Sequence, residues 1–150
     1  MKFPILAAAI LSVALLTSCG SFEKKWTESV TAYESGAVKS PEGPWKGSWT
    51  TKTNGHTGGL RAIVSESKKK PGELDFHYHA TWGEKNNIEG GYKVGFPAQR
   101  RGSRTLVDGS KSLGIFGTFG HKATITPSQF KATYSKKSGV LGYFNMTRPR

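Results

Sequence analysis

From Trp45 to Arg150 the apolar side chains recur with a period of two, turn-forming residues interrupt them every 8 to 13 positions, and no segment keeps a helical period for a useful length. The clearest stretch is Leu74 to Trp82. Leu74, Phe76, Tyr78, Ala80 and Trp82 point one way, and Asp75, His77, His79 and Thr81 the other, as a strand with one buried face requires. Further strands are predicted over Lys46–Thr53, which stops at Asn54-Gly55, and over Leu60–Glu66, which meets Lys68-Lys69-Lys70-Pro71-Gly72. Others are predicted over Ile88–Phe96, Arg104–Val107, Leu113–Phe119, Lys122–Thr126, Gln129–Ser135 and Val140–Arg148. These are about nine short strands at regular spacing, which predicts an all-β domain. The expected form is a small antiparallel up-and-down barrel of about 8–9 strands, with a β-sandwich as the alternative. Gly114, Gly117 and Gly120 recur at every third position. That spacing is not the phosphate-cradling Gly-x-Gly-x-x-Gly, so the glycines are read as strand bends.

The N-terminus is of another kind. Met1 and Lys2 precede an apolar run from Phe3 to Leu16 that is broken only by Pro4 and Ser12. Such a run is shorter than the roughly twenty residues a spanning helix needs, and it reads as a signal-peptide core. Leu16-Thr17-Ser18-Cys19 resembles the lipobox of bacterial lipoproteins. The resemblance implies cleavage between Ser18 and Cys19 and acylation of the Cys19 sulfur. An ordinary secretory cut near Ser18 is the other reading. Cys19 is the one cysteine of the chain, so a disulfide framework, a Cys-only zinc site and a dithiol redox motif are excluded. Two or more acyl chains give a lasting membrane anchor. The expected location is the bacterial cell envelope, lipid-anchored at the outer membrane or the outer face of the cell membrane.

Three segments follow: residues 1–18 as signal peptide, 19–44 as lipidated cysteine and tether, and 45–150 as the domain. Within the tether, Phe22, Trp26, Val30, Tyr33 and Ala37 form a helical stripe, with Ser21 placed to cap its start and Gly36 to end it. That stripe has two uses, packing on the domain or resting on lipid beside the anchor.

Gly47-Ser48-Trp49 in the first strand and Arg148 in the last resemble the signature of the calycins, the superfamily of lipocalin, fatty-acid-binding and avidin barrels. The resemblance implies that the late arginine lies across the indole and closes the barrel. Asn54-Gly55-His56-Thr57-Gly58-Gly59-Leu60-Arg61 also resembles a group of small bacterial secreted proteins, for which no activity is implied. A small eight-stranded barrel is filled by its own side chains or holds one small ligand. In the second case Trp82, Tyr92, Phe96, Phe130 and Tyr134 are the expected pocket, and an apolar cavity of about 300 Å³ or more would mark it.

Lys and Arg number 22 against 10 Asp and Glu, a formal net charge of +12. Lys68, Lys69 and Lys70 form one basic cluster and Arg100, Arg101 and Arg104 another. For an exported protein these point to anionic envelope lipid or polymer rather than nucleic acid. His77 and His79, two apart on a strand, are weak metal-ligand candidates; the opposite face is apolar, so both are expected toward solvent, with no metal and no cofactor. No Gly-x-Ser-x-Gly elbow occurs, and Glu73 and Asp75 on one strand face read as solubilising charge. The sequence predicts a non-catalytic binding or structural module.

Overall fold

The computed structural model describes residues 5–112 and 114–150, with side chains described from residue 20 onward except at residue 116. The side chains of the Leu16-Thr17-Ser18-Cys19 motif lie outside the described residues. A helix, α1 (Ile5–Glu34), precedes eight strands: β1 (Gly43–Thr51), β2 (Thr57–Glu66), β3 (Glu73–Trp82), β4 (Ile88–Arg101), β5 (Arg104–Ser112), β6 (Thr118–Ile125), β7 (Gln129–Lys136) and β8 (Gly139–Thr147). Each strand pairs antiparallel with its neighbours in sequence, and β8 returns to β1, so the sheet is a closed up-and-down barrel. That closure rules out the sandwich. The strand expected over Leu113–Phe119 is instead a 3-10 turn at Gly114–Phe116 leading into β6, with Leu113 outside the described residues. Gly114 and Gly117 take φ of +62° and +85°, angles that bend a chain and that most L-residues avoid.

Inward side chains alternate along most of the strands and meet in one core. It contains Leu60, Ala62 and Val64 of β2, Leu74, Phe76 and Tyr78 of β3, Val94 and Phe96 of β4, Val107 of β5, Ala123 and Ile125 of β6, Phe130 and Ala132 of β7, and Phe144 and Met146 of β8. Gly47 sits where β1 crosses β8, opposite Met146. A Cβ there would run into the Asn145 carbonyl, so glycine lets the first and last strands approach and the barrel close. The β4–β5 ladder is short. It covers Ala98–Arg101 against Arg104–Val107 only, so the rest of that seam lacks the ladder the other strand pairs have.

One end of the barrel is plugged. Trp45 is fully buried, its ring nitrogen donates to the Pro41 carbonyl at 3.0 Å, and its ring meets Phe130 edge-on. The Arg148 guanidinium lies 3.7 Å from the Trp45 ring centroid and 4.4 Å from that of Tyr33 on α1. It donates to the carbonyls of Pro44 and Glu42 at 3.0 and 2.7 Å. This corrects the expected pairing with Trp49. The Gly-x-Trp pattern occurs twice, and Gly43-Pro44-Trp45 is the copy at the plugged end, where β8 delivers Arg148. Trp49 lies four residues along β1 and instead donates to the Thr81 carbonyl at 2.9 Å.

The helix runs down the outside of the wall. Phe22 is buried against His77 and His79 of β3, its ring stacked on His79 at 4.7 Å and edge-on to His77 at 4.8 Å. Arg61 of β2 covers the Phe22 and Trp26 rings at 4.9 and 5.2 Å and is held by Glu23. The hydrogen bonds from Arg61 keep the Glu23 carboxyl below its usual range. At its end the amides of Ala37 and Gly36 donate to the carbonyls of Ala32 and Tyr33, at 2.9 and 3.0 Å, with Gly36 at φ +77°. This is a Schellman cap. Of the two uses for the stripe, Phe22, Trp26 and Tyr33 take the first: they pack on the domain.

Replacing Arg148 by alanine removes two charge-assisted hydrogen bonds and two ring contacts, an expected loss of roughly 2–5 kcal/mol in chemical denaturation. Arg148→Lys recovers only a minor part, because an ammonium cannot stack and reach both carbonyls together. A lysine variant as stable as the wild type would contradict this account of the plug.

Candidate functional site

The opposite end of the barrel is open. There an almost wholly apolar cavity of about 260 Å³ opens among Trp49, Leu60, Ala80, Tyr92, Val94, Phe96, Lys111, Phe119, His121, Tyr134 and Phe144. All eight strands contribute. Ala80 is a small side chain on this lining. The volume lies just under the about 300 Å³ at which drug-sized sites begin, so it suits a smaller molecule. Lys111 and Val94 line both this cavity and an outer groove beside β4.

One polar pair interrupts the apolar walls. The Tyr78 hydroxyl and His121 Nε2 lie 2.9 Å apart, both residues buried. The His121 ring is stacked on Phe96, with centroids at 4.7 Å and planes 12° apart. Burial pushes the His121 pKa down to about 4 and that of Tyr78 well above its ordinary value, so both are neutral near pH 7. His121 Nδ1 is buried and has no hydrogen-bond partner. The proton arrangement follows from the partners available. If Tyr78 donates to Nε2, its hydroxyl proton is used and the His121 proton sits on Nδ1. The reverse arrangement strands the Tyr78 proton as well as the Nδ1 lone pair. An unmade hydrogen bond in an apolar site costs about 1–3 kcal/mol. The first arrangement wins, leaving one unused N–H donor on a residue that lines the cavity.

The structure brings together part of the expected pocket. Tyr92, Phe96 and Tyr134 line the cavity. Phe130 does not: it is fully buried toward the plug, against Trp45. Trp82 is 38% exposed at the end of β3, and its ring lies across Gly90 rather than in the cavity. His121, Trp49 and Phe144 were not anticipated there. The alternation of His121 with Ala123 and Ile125, all three buried, is the signal that places His121 inside. His77 and His79 occupy the outer face, as their period predicts, but Phe22 covers them and His79 is only 9% exposed. His79 Nε2 lies 3.5 Å from Glu89. Among the described residues no group of three or more His, Cys, Asp or Glu is arranged to hold a metal ion. Lys68, Lys69 and Lys70 in the β2–β3 turn and Arg100, Arg101 and Arg104 at the β4–β5 turn gather at the plugged end, where Arg100 pairs with Glu66 at 2.9 Å.

Compared with protein-family models, curated proteins and solved structures, the chain matches none. Function is therefore argued from this geometry.

The lowered His121 pKa has a definite sign. Between about pH 6.5 and 4 the unfolded chain binds a proton that the folded one refuses, so stability is full above this range and falls through it as pH drops. A shift of that size corresponds to about 3 kcal/mol. His77, also lowered to about 4 by burial and then by the lysines near it, adds to the same window. His121→Phe is expected to make urea midpoints less sensitive to pH across the window while lowering them at pH 7.5, because Tyr78 loses its partner. An unchanged slope would contradict the buried neutral ring.

Proposed function

We propose that this protein is an envelope lipoprotein whose barrel carries a small, mainly apolar molecule bearing one hydrogen-bond acceptor, such as a ketone, ester or ether. The observation that carries the reading is the apolar cavity at the open end, lined by all eight strands, with His121, whose buried Nδ1 has no partner, among the lining residues. Apolar walls supply most of the affinity by excluding water, while a buried donor selects for an acceptor, because a ligand lacking one leaves the donor unpaired. Lys111, the one cation on the lining among the described residues, suits partial negative charge nearer the mouth.

The anchoring half rests on Leu16-Thr17-Ser18-Cys19, where the only cysteine stands at the acceptor position after an apolar run. Palmitate labelling is expected on the wild type and lost in Cys19→Ser; an unlabelled wild type would remove the anchor.

For the cavity, the naphthyl ketone dye prodan is a suitable probe, being apolar with a single strong acceptor. Binding to the protein is expected to brighten and blue-shift its emission. Ala80→Leu fills the lining and abolishes the response, and His121→Phe weakens it by roughly three- to tenfold, the size of one hydrogen bond. A response indifferent to Ala80→Leu would place the dye elsewhere and overturn the carrier reading.

A further inference from the structure

Where the exposed apolar side chains fall is not explained by uptake of a ligand. Among the described residues, the large hydrophobic side chains left exposed are Trp82, Ile88, Tyr92, Leu106, Ile115, Val140 and Tyr143. Leu106 alone belongs to the half of a strand near the plugged end. Trp82 and Ile88 flank the β3–β4 turn, Ile115 sits in the β5–β6 connection and is 96% exposed, and Val140 follows the β7–β8 turn. In an up-and-down barrel these three connections lie at one end, and here it is the end where the cavity opens. Water-facing turns are ordinarily polar, so apolar tips on three successive connections call for a partner.

Charge around the same rim indicates which one. Lys85, Lys111, Lys136 and Lys137 are exposed in or beside these connections, and Lys52 in the β1–β2 connection at the same end, against Glu84 and Glu89. A ring of lysines with isoleucine, valine and tryptophan at the tips suits a surface that is anionic at its face and apolar just beneath. Those are the properties of a bilayer carrying anionic lipid, where tryptophan and lysine are both favoured at the headgroup level. The plugged end has as strong a basic patch, but its turns at 67–72 and 102–103 expose no large hydrophobic residue among those described. The run of the helix agrees. Phe22 packs at His79, on the half of β3 nearer the open end, and Tyr33 at Arg148 in the plug. Only Gly20 and Ser21 lie between Cys19 and Phe22, and within α1 the rise of about 1.5 Å per residue puts Cys19 about 5 Å further along the helix.

We infer that the open rim of the barrel docks on an anionic lipid bilayer, with Trp82, Ile88, Ile115 and Val140 entering the interface and the rim lysines meeting the headgroups. The mouth of the cavity then faces the bilayer, and an apolar ligand passes between membrane and barrel without crossing water. Docking extends the carrier reading but does not require it, since the rim would bind lipid even if the cavity held nothing.

The test uses the full chain mixed with vesicles containing phosphatidylglycerol and lipids brominated near the top of the acyl chains. A tryptophan is introduced at the rim by Ile115→Trp, or at the plugged end by Lys69→Trp, and each variant is compared with the wild type for added quenching. The result expected is added quenching for Ile115→Trp and none for Lys69→Trp. Adding Lys136→Glu and Lys137→Glu to Ile115→Trp is expected to weaken partitioning about tenfold or more. Vesicles of phosphatidylcholine alone are expected to weaken it similarly. No added quenching at position 115, equal quenching at both positions, or indifference to the lysine changes and to lipid charge would each overturn the proposal. Prodan uptake measured in vesicle-free solution is unaffected by the rim changes, so failure of docking is distinguishable from failure of the carrier reading. All four substitutions change exposed residues, and the unfolding midpoints of the three variants should match the wild type.

Discussion

The stack of Arg148 between Trp45 and Tyr33 is the contact on which the rest of the molecule depends. One guanidinium is shared by three parts of the chain: the segment just after the last strand, which supplies it, the start of the first strand and the residue before it, whose indole and carbonyls receive it, and α1, whose tyrosine covers it. A closed barrel of eight strands has two ends. The plug finishes one end and fastens the helix to it. The other end carries no such plug, and that is where the cavity lies. Burial pushes the Arg148 pKa down to about 10, which still leaves it charged at neutral pH. The cation is held by carbonyls and ring faces, the partners that suit a guanidinium desolvated without a carboxylate.

The Tyr78–His121 pair poses the converse problem. In a barrel interior of leucine, valine and phenylalanine, a tyrosine–histidine pair costs more than two phenylalanines would, and it does nothing for closure. Its hydrogen-bonding capacity is only half used internally. Buried polar groups that are half satisfied mark places where stability has been given up for something else. Here the unused half belongs to His121, a residue that lines the cavity, which connects the energetic anomaly to the proposed role. The outer histidines lack this property: His79 is engaged by Glu89 and both rings are covered by Phe22, so their burial is explained by the helix.

Much of the barrel was legible because its cause is local. Period-two alternation needs only one strand and one buried face, so β3, β7 and β8 can be read almost to their ends, and Gly36 stops the helix where a left-handed residue is required. What was not legible depends on partners distant in sequence. Two Gly-x-Trp patterns stand four residues apart, and only the register of β8 against β1 decides that Arg148 meets Trp45 and not Trp49. His121 was missed because the strand was begun one residue late; extending the alternation of Ala123 and Ile125 back by one step puts it inside. The helix roof over His77 and His79 could not be foreseen from the strand, since alternation says which face is outward but not what covers it. Trp82 was assigned to the pocket by the same alternation. It does share the inward face of β3, yet it lies at the strand's end, beyond the cavity walls.

The central claim is that His121 is a neutral, buried ring presenting an unused Nδ1–H donor to an apolar ligand. Nitrogen-15 NMR of the histidine side chains tests it most directly, with His121→Phe assigning the signal. The account predicts one ring with its proton on Nδ1, titrating only near pH 4, whose Nδ1 resonance moves when prodan is added and stays still in Ala80→Leu. A His121 that titrates near pH 6.5, carries its proton on Nε2, or ignores the dye would contradict it.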